Sequence, residues 1–264
     1  MSYFVPGTFS YKGYKTIAVT AAAGMVSQTA SSMGVNQSTV SALIQPVVLD
    51  TNPVHNPWTN YSLYLTPSFS AGVLALMIVI ITIFSITYEI KLNTSRRWLS
   101  TAGGSIIVAV TGKLLPQTVV FVTVGICMLA MLFGYSAFPL YCSVWVMILA
   151  MVLLVVACQA FGLLIASILP NPRMGMSVGA LISILAFSLT GFSFPVQSMY
   201  GALAVFSYII PVRWYYLIYI SQALNGFELY YARMYFAALL IFPPVSTLFL
   251  WHLKRACQRP VYVP

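Results

Sequence analysis

Few side chains in this 264-residue chain could do acid–base, nucleophilic or metal chemistry, and they lie far apart. The carboxylates are Asp50, Glu89 and Glu228, the histidines His55 and His252, and the cysteines Cys127, Cys142, Cys158 and Cys257. No Cys-x-x-Cys or Cys/His spacing joins them, so neither a metal site nor a disulfide framework is indicated, and buried reduced thiols are the expected state. No Gly-rich loop ends in Gly-Lys-Ser/Thr to hold a phosphate, and there is no nucleophile elbow. What is concentrated is positive charge. Lys91, Arg96, Arg97 and Lys113 fall with Glu89 inside one stretch, Tyr88 to Pro116, flanked on both sides by apolar sequence.

The elements around that stretch are membrane spans. The chain is 60% hydrophobic and 6% charged, against about 25% charged in soluble domains. That excludes a soluble globular core and predicts an all-α polytopic membrane protein. The formal charge of +9 is scattered between apolar runs. It therefore points to membrane orientation and excludes nucleic-acid binding.

Phe69 to Tyr88 is the first predicted span, twenty residues without a charge and long enough to cross. The uncharged interval from Leu114 to Pro172 covers 59 residues. Its one turn-like break, Gly134 to Pro139, divides it into spans at about 116–133 and 141–169. A fourth span is expected at about 175–192. Prolines 195 and 211 then cut an aromatic segment, Val196 to Leu224, into two short pieces that read as a re-entrant or interfacial hairpin. The fifth span, about 235–250, should kink at Pro243-Pro244. None of these interiors holds an ionisable residue, so proton-coupled transport within the chain is not expected.

The more polar residues 1–68 form a partial external domain of mixed α/β character, with a short helix at Ile17 to Val26 and a strand at Gln45 to Asp50. Residues 69–264 form the transmembrane domain. Five spans put the two ends on opposite sides. Placing the Tyr88–Pro116 stretch in the cytosol puts Lys91, Arg96, Arg97, Lys113, Arg173, Lys254, Arg255 and Arg259 there, against Arg213 and Arg233 outside, a clear positive-inside bias. The C-terminus is then cytoplasmic and residues 1–68 are external. An external head with no preceding span implies a longer protein whose first membrane helix is missing here.

Within the charged stretch, Asn93 and Thr94 can cap a helix beginning near Ser95, which Gly103-Gly104 would end. Its spacing sets Trp98, Leu99 and Ala102 towards the membrane and Arg96, Arg97 and Ser100 towards the cytosol. Such a helix either lies in the interface or inserts its end into a partner. Glu89 either pairs with a nearby basic residue or is simply solvated, and Lys113 either shares in that or snorkels to headgroups.

The stretch resembles the cytosolic coupling region of permeases of type-2 ATP-binding-cassette exporters. Their pattern runs Glu, Gly-Thr, a Leu pair, Thr-Pro, then Gly-Lys-x-x-Pro. Glu89, Thr94, Leu99, Thr101, Gly112, Lys113 and Pro116 match it; Asn93, Arg96, Trp98 and Ala102 depart from it. Downstream, Gly191-Phe192-Ser193-Phe194-Pro195 is similar to the family's Gly-x-x-Phe-Pro, and Pro211 to Tyr215 to its Pro-x-x-aromatic pair in the external hairpin. The likeness covers about Asn52 to Arg255.

The resemblance implies a bacterial inner-membrane permease subunit of an ATP-driven drug-efflux-like exporter of small or lipid-like molecules. It would have no cofactor and no ATPase domain of its own. Its partners would be an ABC ATPase subunit that binds the ATP, a second permease chain identical or related, membrane lipids and in some systems a periplasmic adaptor. On that reading Glu89, Thr94, Arg96, Arg97, Trp98, Leu99, Thr101, Lys113 and Pro116 form the ATPase-coupling segment. Gly191, Phe194, Pro195, Pro211 and Tyr215 belong to the external gate. The rival is a membrane scaffold without a transport path.

Overall fold

A computed structural model describes residues 62–191, 196 and 199–258. The expected helix at Ile17 to Val26, the strand at Gln45 to Asp50 and the mixed α/β domain, like His55, Phe194, Pro195 and Arg259, lie outside these described residues.

The described residues are mostly helical, with five helices long and apolar enough to cross a membrane and one bent pair that could count as a sixth. The first, α1 (Ser62–Lys91), begins seven residues before the expected span; Pro67 lies in its second turn and leaves the Leu63 carbonyl without its helical donor. A short helix, α2 (Ser95–Thr101), follows. Next is α3 (Ile106–Leu129), which runs on into a π-helical turn at Ala130–Tyr135. The second span therefore starts ten residues ahead of Pro116, its expected opening residue. Pro116 sits inside α3 and removes one backbone donor without ending the helix.

The buried centre is α4 (Val144–Ile168). Every other crossing element packs on it: α1, α3, the shorter α5 (Pro172–Leu189) and the last span, α8 (Leu229–Thr247). Its face is buried along most of its length, from Met147 to Ser167. Close approach of α1 depends on Gly162, where a Cβ would sit 3.0 Å from the Val79 carbonyl oxygen. Asn171 caps α5 by accepting from the Arg173 N–H at 3.0 Å, with Pro172 in the first turn.

Between α5 and α8 lies a bent pair, α6 (Gly201–Tyr208) and α7 (Pro211–Ile218), the latter continued by a π-helical turn at Tyr219–Leu224. The two arms meet at 81°, as the prolines and aromatics predict for a hairpin. Pro243 and Pro244, where a kink is expected, lie inside α8. α8 continues to Thr247, and after a short turn at Leu248-Phe249 the last span runs on into α9 (Leu250–Gln258). The Ser246 and Thr247 hydroxyls donate to the Pro243 and Pro244 carbonyls at 2.8 and 2.7 Å, which satisfies two acceptors just where the helix ladder stops.

Candidate functional site

The charged stretch folds into a platform built on the ends of three helices. After α1 the chain turns through Asn93 in the left-handed region, φ 58°, a conformation that asparagine tolerates. This returns Thr94 over the end of α1, where its backbone N–H donates to the Glu89 carbonyl at 3.0 Å. Thr94 does precede α2, but its hydroxyl does not cap that helix. It donates to the Glu89 carboxylate instead. The same carboxylate receives the Lys113 ammonium from α3, and the Trp98 ring lies 5.2 Å from that nitrogen. Glu89 thus ties α1, the start of α2 and α3 to one point.

α2 is mounted just as firmly on α9. The buried Ser95 hydroxyl donates to the Cys257 carbonyl at 3.0 Å, and Arg96 Nε donates to the Gln258 carbonyl at 3.0 Å. Both acceptors are final-turn carbonyls of α9 that have no partner inside their own helix. Leu99 is buried among Ile86, Ile90, Ile106, Leu250 and Leu253, with Trp98 and Ala102 partly buried against them. The expected apolar face therefore exists, and its Leu99 packs against α1, α3 and α9. Seven residues are too few for a stable isolated helix, so these tertiary contacts hold α2 in shape. Gly103 and Gly104 end it at φ 64° and 77°.

The opposite face of the platform is polar. Arg96, Arg97, Ser100 and Thr101 are exposed. The Ser100 and Thr101 hydroxyls donate to the Arg97 carbonyl at 2.8 and 2.9 Å, while the Arg97 guanidinium points away from any described partner. Pro116 is exposed on α3, three residues beyond Lys113. α9 adds Arg255 stacked at 3.6 Å over the Trp251 ring, and His252, whose Nδ1 lies 2.6 Å from the Ser167 carbonyl at the end of α4. One carboxylate is spent internally, and the remaining charge on this end is positive. No group of three or more metal-ligating side chains occurs among the described residues. The arrangement presents an exposed basic face on a short helix anchored to α1, α3 and α9.

The hairpin occupies the other end of the bundle. Gly191 closes α5 at φ 103°, and a Cβ there would meet Arg213 Nη1 and Val196, each at 3.2 Å. Pro211 opens α7, and Tyr215 is buried in the core with Ile218 and Tyr219. The Tyr219 hydroxyl donates to the Leu63 carbonyl at 2.6 Å, which fastens the π-helical turn to the start of α1. The Tyr141 N–H donates to the Ala223 carbonyl at 3.0 Å and docks the connector before α4 on the same turn. Arg213 reaches back with Nη1 to the Thr190 carbonyl at 3.1 Å.

Sequence reasoning missed two of these polar groups. Arg213 entered it only as a charge for orientation, although a lone arginine after 39 uncharged residues was a visible signal. Gln159, buried in α4, accepts from the Thr118 hydroxyl at 2.7 Å and so joins α4 to α3. Glutamine carries no charge to mark it in an apolar run.

No curated protein and no solved structure matches this chain. The family described as ABC-2 family transporter protein matches residues 1–252. With five candidate spans and the bent helix pair, this multi-pass membrane chain belongs to the ABC-2 transporter family.

Proposed function

We infer that the chain is the membrane-spanning permease subunit of an ATP-driven exporter. It couples a separate ATPase subunit to efflux of a small or lipid-like substrate and works beside a second permease chain. The observation that carries this reading is the mounting of α2. A short helix with an exposed basic face is bonded through Glu89, Ser95, Arg96 and Leu99 to the ends of α1, α3 and α9. A push on the face of Arg97, Ser100 and Thr101 is delivered to three spans at once. Coupling of this kind needs two arrangements of the spans, each favoured by a different state of the partner. Family membership supports the pairing with an ATPase. The positive-inside bias supports a cytoplasmic platform and C-terminus in a bacterial inner membrane.

The test is charge reversal at Arg97, whose guanidinium has no hydrogen-bond partner among the described residues, alongside Arg96→Glu, which also loses the bond to Gln258. In the assembled complex, Arg97→Glu should lower transport-stimulated ATP hydrolysis roughly tenfold, equivalent to about 1.4 kcal/mol of docking free energy, at normal expression of the permease. Undiminished export and hydrolysis in both variants would sink the docking assignment.

A further inference from the structure

The last span carries two cation–aromatic pairs, one near each end. Near its start the Arg233 guanidinium carbon lies 3.8 Å from the centre of the Tyr230 ring, and near its close that of Arg255 lies 3.6 Å from the centre of the Trp251 ring. Both pairs stand on one 30-residue apolar path, Leu229–Gln258. The two arginines are 22 positions apart, about 33 Å at the rise of an α-helix. A bilayer's hydrocarbon core is about 30 Å thick. Aromatic rings gather at the boundary of that core, and arginines beside them reach for the headgroups. The spacing therefore sets one pair in each headgroup layer, with α9 in the layer at the platform end.

The two pairs differ in charge around them. An exposed carboxylate, Glu228, stands five residues before Arg233. At the platform end the described carboxylate is Glu89, already bonded to Lys113 and Thr94, while Lys91, Arg97, Arg173 and Lys254 add positive charge. Trp251 is 61% exposed, on the side of α9 away from the buried Leu250, Leu253 and Cys257. Leu248 and Ile241, one and two heptads before Arg255, are exposed as well and carry that side of the span back into the hydrocarbon. Stacking occupies one face of the Arg255 guanidinium and none of its N–H donors, which have no acceptor among the described residues. A planar fork of free donors, mounted on a ring at the acyl boundary and surrounded by unmatched positive charge, suits the phosphodiester of an anionic lipid.

We propose that Trp251 and Arg255 form a binding site for an anionic phospholipid, with its phosphate on the free donors of Arg255 and an acyl chain along Leu248 and Ile241. The helix so held is also the one whose final carbonyls accept from Ser95 and Arg96 of α2. The bound lipid therefore fixes the depth of the platform in the membrane. Its effect on coupling rests on the permease reading; binding itself does not.

The purified full chain in phosphatidylcholine nanodiscs is titrated with phosphatidylglycerol and with phosphatidylcholine, each carrying the same fluorescent acyl chain. The native chain should prefer phosphatidylglycerol about tenfold. Arg255→Gln and Trp251→Leu should each cut that preference about fivefold, whereas Arg233→Gln, an equal loss of charge on the same span, should change it by less than about twofold. If either α9 variant does not fold, Arg255→Lys replaces it; that variant keeps the charge, loses the planar fork, and should cut the preference about threefold. Absence of preference in the native chain, an unchanged preference in the folded α9 variants, or an equal fall in Arg233→Gln would each overturn the proposal. An unchanged lipid preference joined to weaker capture of the ATPase subunit by Arg255→Gln would assign this face to that subunit and overturn it too. Neither hydrolysis nor export is read, so failure here is distinct from failure of the transport assay.

Discussion

At the scale of single residues, Glu89 carries more of the structure than its position at a helix end suggests. The Glu89 and Lys113 side chains keep 27% and 23% of their surface exposed, so water screens the pair and its contribution is modest. A double-mutant cycle of Glu89→Gln and Lys113→Met in lipid nanodiscs should give a coupling energy of about 1 kcal/mol. Strictly additive melting shifts would show that the pair contributes nothing beyond its separate parts. Thr94→Val should cost about as much again, since it deletes a hydrogen bond to a charged acceptor. The sequence left Glu89 open between a pair and a solvated end. Residues 24 positions apart meet only if the connector folds back, and that depends on Asn93 adopting positive φ, which no local pattern announced.

At the scale of elements, spacing showed which face of α2 is apolar but not what covers it. Its cover is α9, whose partners Ser95 and Cys257 are 162 positions apart, and single-sequence periodicity has no access to such pairs. The same limit displaced the start of α3. The second span is expected from about Pro116, yet the helix already includes Gly112 and Lys113, with the lysine paired to Glu89. Glycines separate two roles here. Gly162→Val would force a side chain against the Val79 carbonyl, which is backbone and cannot yield, and should lower stability by roughly 1–3 kcal/mol. Gly112 has nothing within 4 Å of its would-be Cβ. Gly112→Ala should therefore raise the melting free energy by about 0.5–1 kcal/mol. Thermal melts of both variants in the same nanodiscs would check the pair; a destabilised Gly112→Ala would mean that α3 is more constrained there than its open surroundings indicate.

At the scale of the whole molecule, the decisive question is how often the chain crosses, because the bent pair α6–α7 is apolar enough to count as a sixth span. Contacts at the two ends answer it. α1 ends at the platform, and α4 ends there too, since its Ser167 carbonyl meets His252 of α9. α5 leaves that end and reaches Thr190, where Arg213 meets it. α8 must then run from the hairpin end back to the platform, because α9 at its close is bonded to α2. α6 and α7 therefore enter and leave on one side, leaving five crossings among the described residues. Ser100 and Tyr200, both exposed, lie at opposite ends. With the platform cytosolic, a membrane-impermeant maleimide should label Tyr200→Cys in intact cells and Ser100→Cys only after permeabilisation, each measured over the native chain. The reverse pattern would invert the orientation while keeping the crossing number. Labelling of both from the same side would overturn the five-crossing path itself, and with it the placement of Arg213 across the membrane from α2.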